Sequence, residues 1–114
     1  MEHTVSLKLN HVFQRLYRKG KSAVSPNMVL YVRKNGRKES RLGLTVSTKV
    51  GKAVVRNRTR RRLREIYRTN EEKLLPGYDV VVVARVRAAH ASYAVMEQEF
   101  LRLAGKVGLR EVSQ

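Results

Sequence analysis

Seven arginines lie within thirteen residues of this chain, and they share that segment with one carboxylate, that of Glu65. The arginines are Arg56, Arg58, Arg60, Arg61, Arg62, Arg64 and Arg68. A guanidinium group is planar and can donate hydrogen bonds to two phosphate oxygens at once, whereas a lysine ammonium acts as a point charge. Asn57, in the same segment, adds an amide that can contact a base edge or a sugar. The segment is therefore predicted to bind a nucleic acid.

The arginine segment is predicted to form a helix over residues 53–70 with one buried face. At about 100° per residue, roughly a third of the circumference collects side chains suited to a core. These are Val55, Thr59, Leu63, Ile66 and Tyr67. Arg56, Arg60 and Arg64 form a row outside this face. Because like charges at this spacing destabilise an isolated helix, a helix that served only solubility would intersperse glutamates. The basic face is predicted to contact a polyanion.

The whole chain is basic, with 25 Lys and Arg against 9 Asp and Glu in 114 residues and a formal net charge of +16. Such a charge attracts phosphate. The length is typical of one domain, and a single RNA-binding domain is predicted over residues 1–114. No apolar stretch approaches the ~20 residues of a membrane span, and there is no cysteine for a disulfide. We therefore expect a cytoplasmic protein without a membrane partner.

The first predicted helix carries two apolar stripes. It begins near Asn10 and ends at Gly20; Val12 and Leu16 form one stripe, and Phe13 and Tyr17 form the other. Two interpretations remain open at this point. Either both stripes are core, or Phe13 and Tyr17 partly line an open groove.

A β-hairpin is predicted after this helix. Residues 28–33 have strand composition, Asn35 and Gly36 are a turn signal, and the returning strand covers residues 42–47. Because side chains alternate between the two faces of a strand, Leu42, Leu44 and Val46 are predicted to face a core. Gly43, Thr45 and Ser47 are predicted to face outward. These small outward side chains either leave room for a ligand or form an ordinary solvated face.

The rest of the chain predicts a buried strand and a last helix. Residues 78–85 include four consecutive valines, which is typical of a central strand covered on both faces. The strand, helix, strand order makes this strand parallel and adjacent to the strand that begins near Leu42. Ser92 is predicted to cap a final helix. Its core positions are Met96, Phe100, Leu103 and Val107.

No catalytic residue is predicted in this chain. A two-metal nuclease needs several converging carboxylates, and Asp79 is the only aspartate. The three histidines, His3, His11 and His90, belong to separate segments, so a catalytic imidazole pair is not predicted. Metal binding by the protein is left open. RNA is the favoured ligand, because aromatic and cationic side chains together suit stacking of unpaired bases.

The sequence resembles the bacterial ribonuclease P protein family. Residues 49–68 resemble its signature, which is built around the same Arg, Asn, Arg triplet as Arg56, Asn57 and Arg58. The resemblance extends over nearly the whole chain, and it includes Phe13, Gly20, Arg41, Leu42, Gly43, Leu44, Ser47, Gly77, Asp79, Val80 and Arg85. One departure is Val86, where family members often have a proline.

The resemblance implies a ribonucleoprotein that removes the 5′ leader from precursor tRNA. A large catalytic RNA would perform Mg²⁺-dependent hydrolysis, and this chain would be its protein cofactor. No cofactor bound by the chain itself is assigned. Its partners would be the catalytic RNA and precursor tRNA, with no protein partner required. The resemblance implies a set of residues that contact the catalytic RNA and the region of the scissile bond. These residues are Lys49, Lys52, Arg56, Asn57, Arg58, Arg60, Arg61, Arg64 and Arg68. It also implies a leader-binding groove, which is lined by Phe13, Tyr17, Tyr31, Thr45 and Ser47.

The resemblance also implies a single-domain α+β fold in the order α-β-β-β-α-β-α. This fold has a mixed central sheet with a left-handed βαβ crossover, and a domain of a small-subunit ribosomal protein shares it. Physical rules alone favour the right-handed form, which accounts for about 98% of such crossovers. Two other functions stay open from the residues: a structural ribosomal or RNA-chaperone protein, and a nuclease that cleaves without RNA.

Overall fold

In the part of the chain that the structure describes, five strands form one mixed sheet, and three α-helices pack on its two faces. The computed structural model describes residues 4–7 and 10–111. The elements are β1 Thr4–Ser6, α1 Asn10–Lys19, β2 Lys21–Val24, β3 Met28–Lys34, β4 Ser40–Thr45, α2 Ala53–Asn70, β5 Tyr78–Ala84 and α3 Tyr93–Lys106. Short 3₁₀ helices cover Thr48–Val50, Glu71–Lys73 and Val86–His90. Within the described ranges, no helix combines the length and hydropathy needed to cross a membrane.

The strand β5 lies at the centre of the sheet. The strand order is β1-β4-β5-β3-β2, with β5 parallel to β4 and antiparallel to β3. Val80 and Val81 are fully buried, and Val82 is 1% exposed. These observations confirm the predicted central strand and its parallel pairing with β4 across α2. The hand of that crossover stays a prediction.

The predicted hairpin between β3 and β4 is wrong. Gly36 does turn the chain, with φ of 71°, but β5 lies between the two strands. Lys34 is in register with Tyr78 on one side of β5, and Arg41 with Asp79 on the other. Because β5 is apolar on both faces and has backbone hydrogen-bonding groups along both edges, it is more stable between two strands than at the edge of the sheet. A local turn signal does not determine whether the two strands that flank it pair with each other or with a third strand.

The predicted element order also lacked the first strand. β1 pairs in parallel with β4, with Thr4 in register with Ser40. Three residues are too few to show a period of two, so this strand had no readable pattern. It is stabilised through the sheet and through Thr4, whose hydroxyl lies 3.1 Å from that of Tyr67 on α2.

The two faces of the sheet hold separate apolar clusters. The larger cluster joins α2 and α3 to the face that carries Leu30 and Val82. The smaller joins Val12 and Leu16 of α1 to Val81 on the opposite face. The predicted core positions of α3 are confirmed as buried, and Ser92 caps that helix by accepting a hydrogen bond from Val95 N at 3.2 Å. The predicted bounds of α2 are confirmed as well.

A buried carboxylate, Glu99 on α3, holds the turn between β2 and β3. It is 7% exposed, accepts a hydrogen bond from Asn27 N at 3.0 Å and contacts Asn27 Nδ2. Burial alone raises the pKa of Glu99. Hydrogen bonds from Ser25 and Asn27 outweigh that effect, helped by the charge of Arg102, and the pKa lies below its ordinary value of 4.5.

Glu99→Gln is expected to destabilise the protein at neutral pH by about 1.5 to 3 kcal/mol, the usual range for hydrogen bonds to a charged group. Since folding lowers the pKa of Glu99, its contribution is present above the unfolded pKa and is lost as pH falls through the folded pKa. Urea unfolding of both proteins over a pH series measures this. The two stabilities should converge in acid; a constant difference would contradict the assignment.

Candidate nucleic-acid interface

The arginine helix α2 presents one face to the core and its other faces outward. Thr59, Leu63, Ile66 and Tyr67 are all buried, and Val55 packs at the edge of the core. These positions match the predicted inward face. The remaining circumference therefore carries the cationic side chains.

The predicted RNA-binding side chains lie mostly in solvent. Six are exposed: Lys49, Lys52, Asn57, Arg61, Arg64 and Arg68. Three are half-buried: Arg56, Arg58 and Arg60. Arg60 Nη1 donates to Asn57 Oδ1 at 3.1 Å, which joins the amide to the row of arginines. The structure thus brings Asn57 and this row onto one continuous surface.

Most of this positive charge has no acidic partner among the described residues. Across residues 4–7 and 10–111, Arg68 is the one arginine of α2 in an ion pair, which it makes with Glu65. The hydrogen bond from Arg68 lowers the pKa of Glu65. Nε of Arg56 is buried and has no hydrogen-bond partner among the described residues. A buried donor without an acceptor is unfavourable, so this guanidinium adds to the cost of the arginine row in the free protein.

Two arginines on the opposite flank of α2 contact backbone instead. Arg58 donates to Ala89 O at 3.3 Å, and Arg62 donates to Ala91 O at 3.4 Å. These contacts tether the Val86–His90 segment and the residue that follows it to α2. The sequence departs from the family pattern at the start of this segment. The contact of Arg58 leaves other guanidinium donors available, and its role in RNA binding stays a prediction.

The N-terminus of α2 adds to the positive potential. Lys52 occupies the N-cap position and makes no side-chain hydrogen bond to the first turn. Backbone N–H groups at a helix N-terminus, with the helix dipole, favour anions. Lys49 lies just before it in the Thr48–Val50 turn. This end of α2 is suited to bind phosphate.

Gly43 does not face open solvent, contrary to the sequence-based expectation of a smooth outward face at this position. It is buried beneath Phe13 of α1. A Cβ at Gly43 would lie 2.7 Å from Phe13 Cζ and closer to Cε1. The ring occupies the space that the missing side chain leaves. Phe13 is half-buried and belongs largely to the α1 packing.

Tyr17 and Tyr31 form the exposed aromatic part of this face. Their ring centroids are 4.9 Å apart at an interplanar angle of 67°, an edge-to-face pair. Tyr17 is 38% exposed, and Tyr31 is half-buried. Tyr31 and Gly43 are both in register with Val81, so these three residues form one row across neighbouring strands of the sheet. Helix α1 covers this row from Gly43 to Tyr31.

The next row of the same face is less covered. It contains Thr45, Val83 and Val29, all half-buried, and Val24, which is 56% exposed. Sequence reasoning named Thr45 in the groove but missed these valines, since only strand pairing places them beside Thr45. Ser47 is exposed just beyond β4.

The open row and the basic helix share one end of the molecule. The chain leaves β4 at Thr45, passes Ser47, and enters α2 after Lys52. The carboxyl ends of β4 and β5 also lie there, because these strands are parallel. The predicted groove and the predicted phosphate-binding surface are therefore adjacent.

Gly43→Ala is expected to destabilise the protein by about 1 to 3 kcal/mol, because the new methyl group overlaps the Phe13 ring. Urea unfolding of Gly43→Ala, Phe13→Ala and the double variant measures this. The double variant should be more stable than the sum of the single losses predicts, since removal of the ring makes room for the methyl group. Simple additivity would argue against this contact.

No catalytic constellation is apparent in the described part of the chain. His11 and His90 are exposed on separate elements, and His3 lies outside the described residues. Asp79 forms an ion pair with Arg41 at 2.6 Å. Residues 4–7 and 10–111 contain no cluster of three or more His, Asp or Glu able to hold a metal ion.

Comparison with known proteins supplies close relatives. The family model described as Ribonuclease P matches residues 1–108. The ribonuclease P protein component of Natranaerobius thermophilus is 42% identical over 106 residues, which are 93% of this chain and 92% of the relative. That of Clostridioides difficile is 43% identical over 101 residues, 88% of this chain and 89% of the relative.

Solved structures of RNase P proteins are similar to the fold of this chain. The RNase P protein of Staphylococcus aureus superposes with a TM-score of 0.84 at 30% identity, covering 93% of this chain and 97% of that chain. The RNase P protein from Thermotoga maritima gives a TM-score of 0.79 at 31% identity, covering 96% of this chain and 98% of that chain.

Proposed function

The chain belongs to the ribonuclease P protein family, and from that membership we propose that it binds the catalytic RNA through α2 and the 5′ leader of precursor tRNA in the groove beside α1. As a ribonuclease P protein component, it is part of a ribonucleoprotein that matures tRNA 5′ ends.

The observation that carries the proposal is the uncompensated row on α2. Arg56, Arg60 and Arg64 have no carboxylate partner among the described residues, and they continue toward Lys52 at the helix N-terminus. Repulsion among these charges lowers the stability of the free folded protein, and bound phosphate raises that stability. A folded RNA provides phosphates along the full length of this row.

The groove suits a single strand. Tyr17 and Tyr31 offer aromatic edges and faces to unpaired bases, while Thr45 and Ser47 offer hydroxyl groups to sugar or phosphate. The groove adjoins the N-terminus of α2, so a leader lying in it would enter close to the RNA bound by α2. This arrangement fits cleavage at the junction of leader and tRNA.

Within residues 4–7 and 10–111, the carboxylates form no cluster suited to a Mg²⁺ site. Asp79 is paired with Arg41, Glu99 with Asn27, and Glu97 accepts a hydrogen bond from Asn70 at 2.9 Å. Mg²⁺ requires several oxygen ligands in octahedral geometry, and each of these three carboxylates is held by a different partner. We assign the metal ions and the hydrolytic chemistry to the RNA. The cytoplasm is the proposed compartment of the assembled enzyme.

Leader cleavage tests this function. The protein is mixed with precursor tRNA and a bacterial ribonuclease P RNA at low Mg²⁺, and the release of leader is followed with time. We expect the protein to increase the cleavage rate, because its cations replace part of the charge screening that Mg²⁺ otherwise provides. No increase would contradict the proposal, and a similar increase from an unrelated basic protein would favour a general RNA chaperone. Cleavage by the protein alone would indicate a nuclease.

A further inference from the structure

We propose a second RNA-binding surface at the end of the sheet opposite the N-terminus of α2, and we infer that it contacts the backbone of the catalytic RNA. This proposal rests on the function proposed above. We call it the basal surface. It consists of Arg15, Lys19, Lys21, Arg33 and Lys34, all of which are exposed.

Two cavities meet at this surface. One, of about 180 Å³, lies between α1 and the strand ends, and Arg15, Arg33 and Lys34 line it. The other, of about 370 Å³, is lined by Lys19 and Lys21 and again by Arg33 and Lys34. The shared residues join both cavities into one cationic surface around the end of β3.

The charge of the basal surface has no acidic counterpart in the described ranges. Asp79 is the one carboxylate that lines either cavity, and its two oxygens accept hydrogen bonds from Arg41 at 2.7 and 2.6 Å. None of the five cations forms an ion pair in the part of the chain that the structure describes. Clustered like charges destabilise the free protein, and an extended anion offsets that cost.

Helix α1 separates this surface from the leader groove. At about 100° per residue, Arg15 and Lys19 lie on the flank of α1 opposite Phe13 and Tyr17. The helix also closes against the sheet at its end, since a Cβ at Gly20 would lie 2.9 Å from Val32 O. A strand in the groove therefore cannot pass beneath α1 to the basal surface.

The separation favours a large folded RNA as the occupant. The six residue steps of β5 from Tyr78 to Ala84 span roughly 20 Å, so the basal surface and the N-terminus of α2 lie at least about that far apart. A single leader strand follows one path on one flank of α1. A structured RNA can present phosphates to both ends of the sheet, and the basal surface then orients the protein on that RNA.

Lys21→Gln combined with Lys34→Gln tests the proposal. Affinity for the catalytic RNA is measured over a salt series, and the slope of log affinity against log salt is expected to fall by about 1.4 to 1.8, at roughly 0.7 to 0.9 per lost phosphate contact. The ratio of affinities of the assembled enzyme for precursor and mature tRNA should stay unchanged. Arg102→Gln with Lys106→Gln, two exposed cations of α3, removes the same charge as a matched control.

Three results would overturn the inference: an unchanged slope, a slope reduced no more than in the control, or a loss confined to precursor tRNA, which would assign the surface to the leader. A variant with Arg56, Arg60 and Arg64 of α2 replaced by glutamine separates the two proposals. If that variant weakens RNA binding and the Lys21 and Lys34 variant does not, only the basal surface is wrong. If neither does, the proposed role of α2 also fails.

Discussion

Replacement of Arg56, Arg60 and Arg64 together by glutamine is expected to lower the slope of log affinity for catalytic RNA against log salt by about 2.1 to 2.7. Each arginine is taken to neutralise one phosphate and to release its counterions, with roughly 0.7 to 0.9 in slope for each contact. Over a fourfold change in salt, three contacts correspond to about a 20- to 40-fold difference in affinity. Filter binding or fluorescence anisotropy over a salt series measures this slope.

The control for this variant removes the same charge elsewhere. Lys73, Arg102 and Lys106 are exposed and lie off the arginine row, and their glutamine variant lowers the net charge equally. If RNA binding depended only on net charge, the two triple variants would behave alike. The proposed interface on α2 requires a clearly larger change in the arginine variant. Thermal unfolding of each variant checks that the fold is retained.

Tyr17→Ala with Tyr31→Ala is expected to weaken binding of precursor tRNA to the assembled enzyme by about 1 to 3 kcal/mol for each base that stacks in the groove. Binding of mature tRNA, which lacks the leader, should change little. The ratio of the two affinities measures the effect and cancels any general loss of stability. These two rings are the better choice over Phe13, because Phe13 fills the space above Gly43 and its removal leaves a cavity.

The matched control keeps the rings and removes the hydroxyl groups. Tyr17→Phe with Tyr31→Phe should bind precursor tRNA almost as well as the original protein, because stacking depends on the ring. An equal loss for precursor and mature tRNA in the alanine variant would show that the edge-to-face pair serves only to hold α1 on the sheet. A loss in the phenylalanine variant would instead indicate hydrogen bonding through the hydroxyl groups.

Local patterns were enough to predict the helices and the central strand. The bounds of α2, the inward face of that helix and the core positions of α3 follow from a period of 3.6 residues. The buried run of valines marked β5 as central. These features depend on side chains that are close in sequence, so periodicity reveals them without knowledge of the partners. The density of arginine on α2 likewise pointed to phosphate before any fold was known.

Three features could be known only from the packed chain. β5 lies between β3 and β4 although Asn35 and Gly36 suggest a hairpin, Phe13 covers Gly43, and Arg58 contacts Ala89 O. Each joins residues that are far apart in sequence and whose types permit many partners. The choice among those partners depends on which arrangement buries apolar surface on both faces of the sheet and satisfies its hydrogen bonds. The total of buried apolar surface and satisfied hydrogen bonds is a property of the whole fold, and it cannot be read from any short stretch of residues.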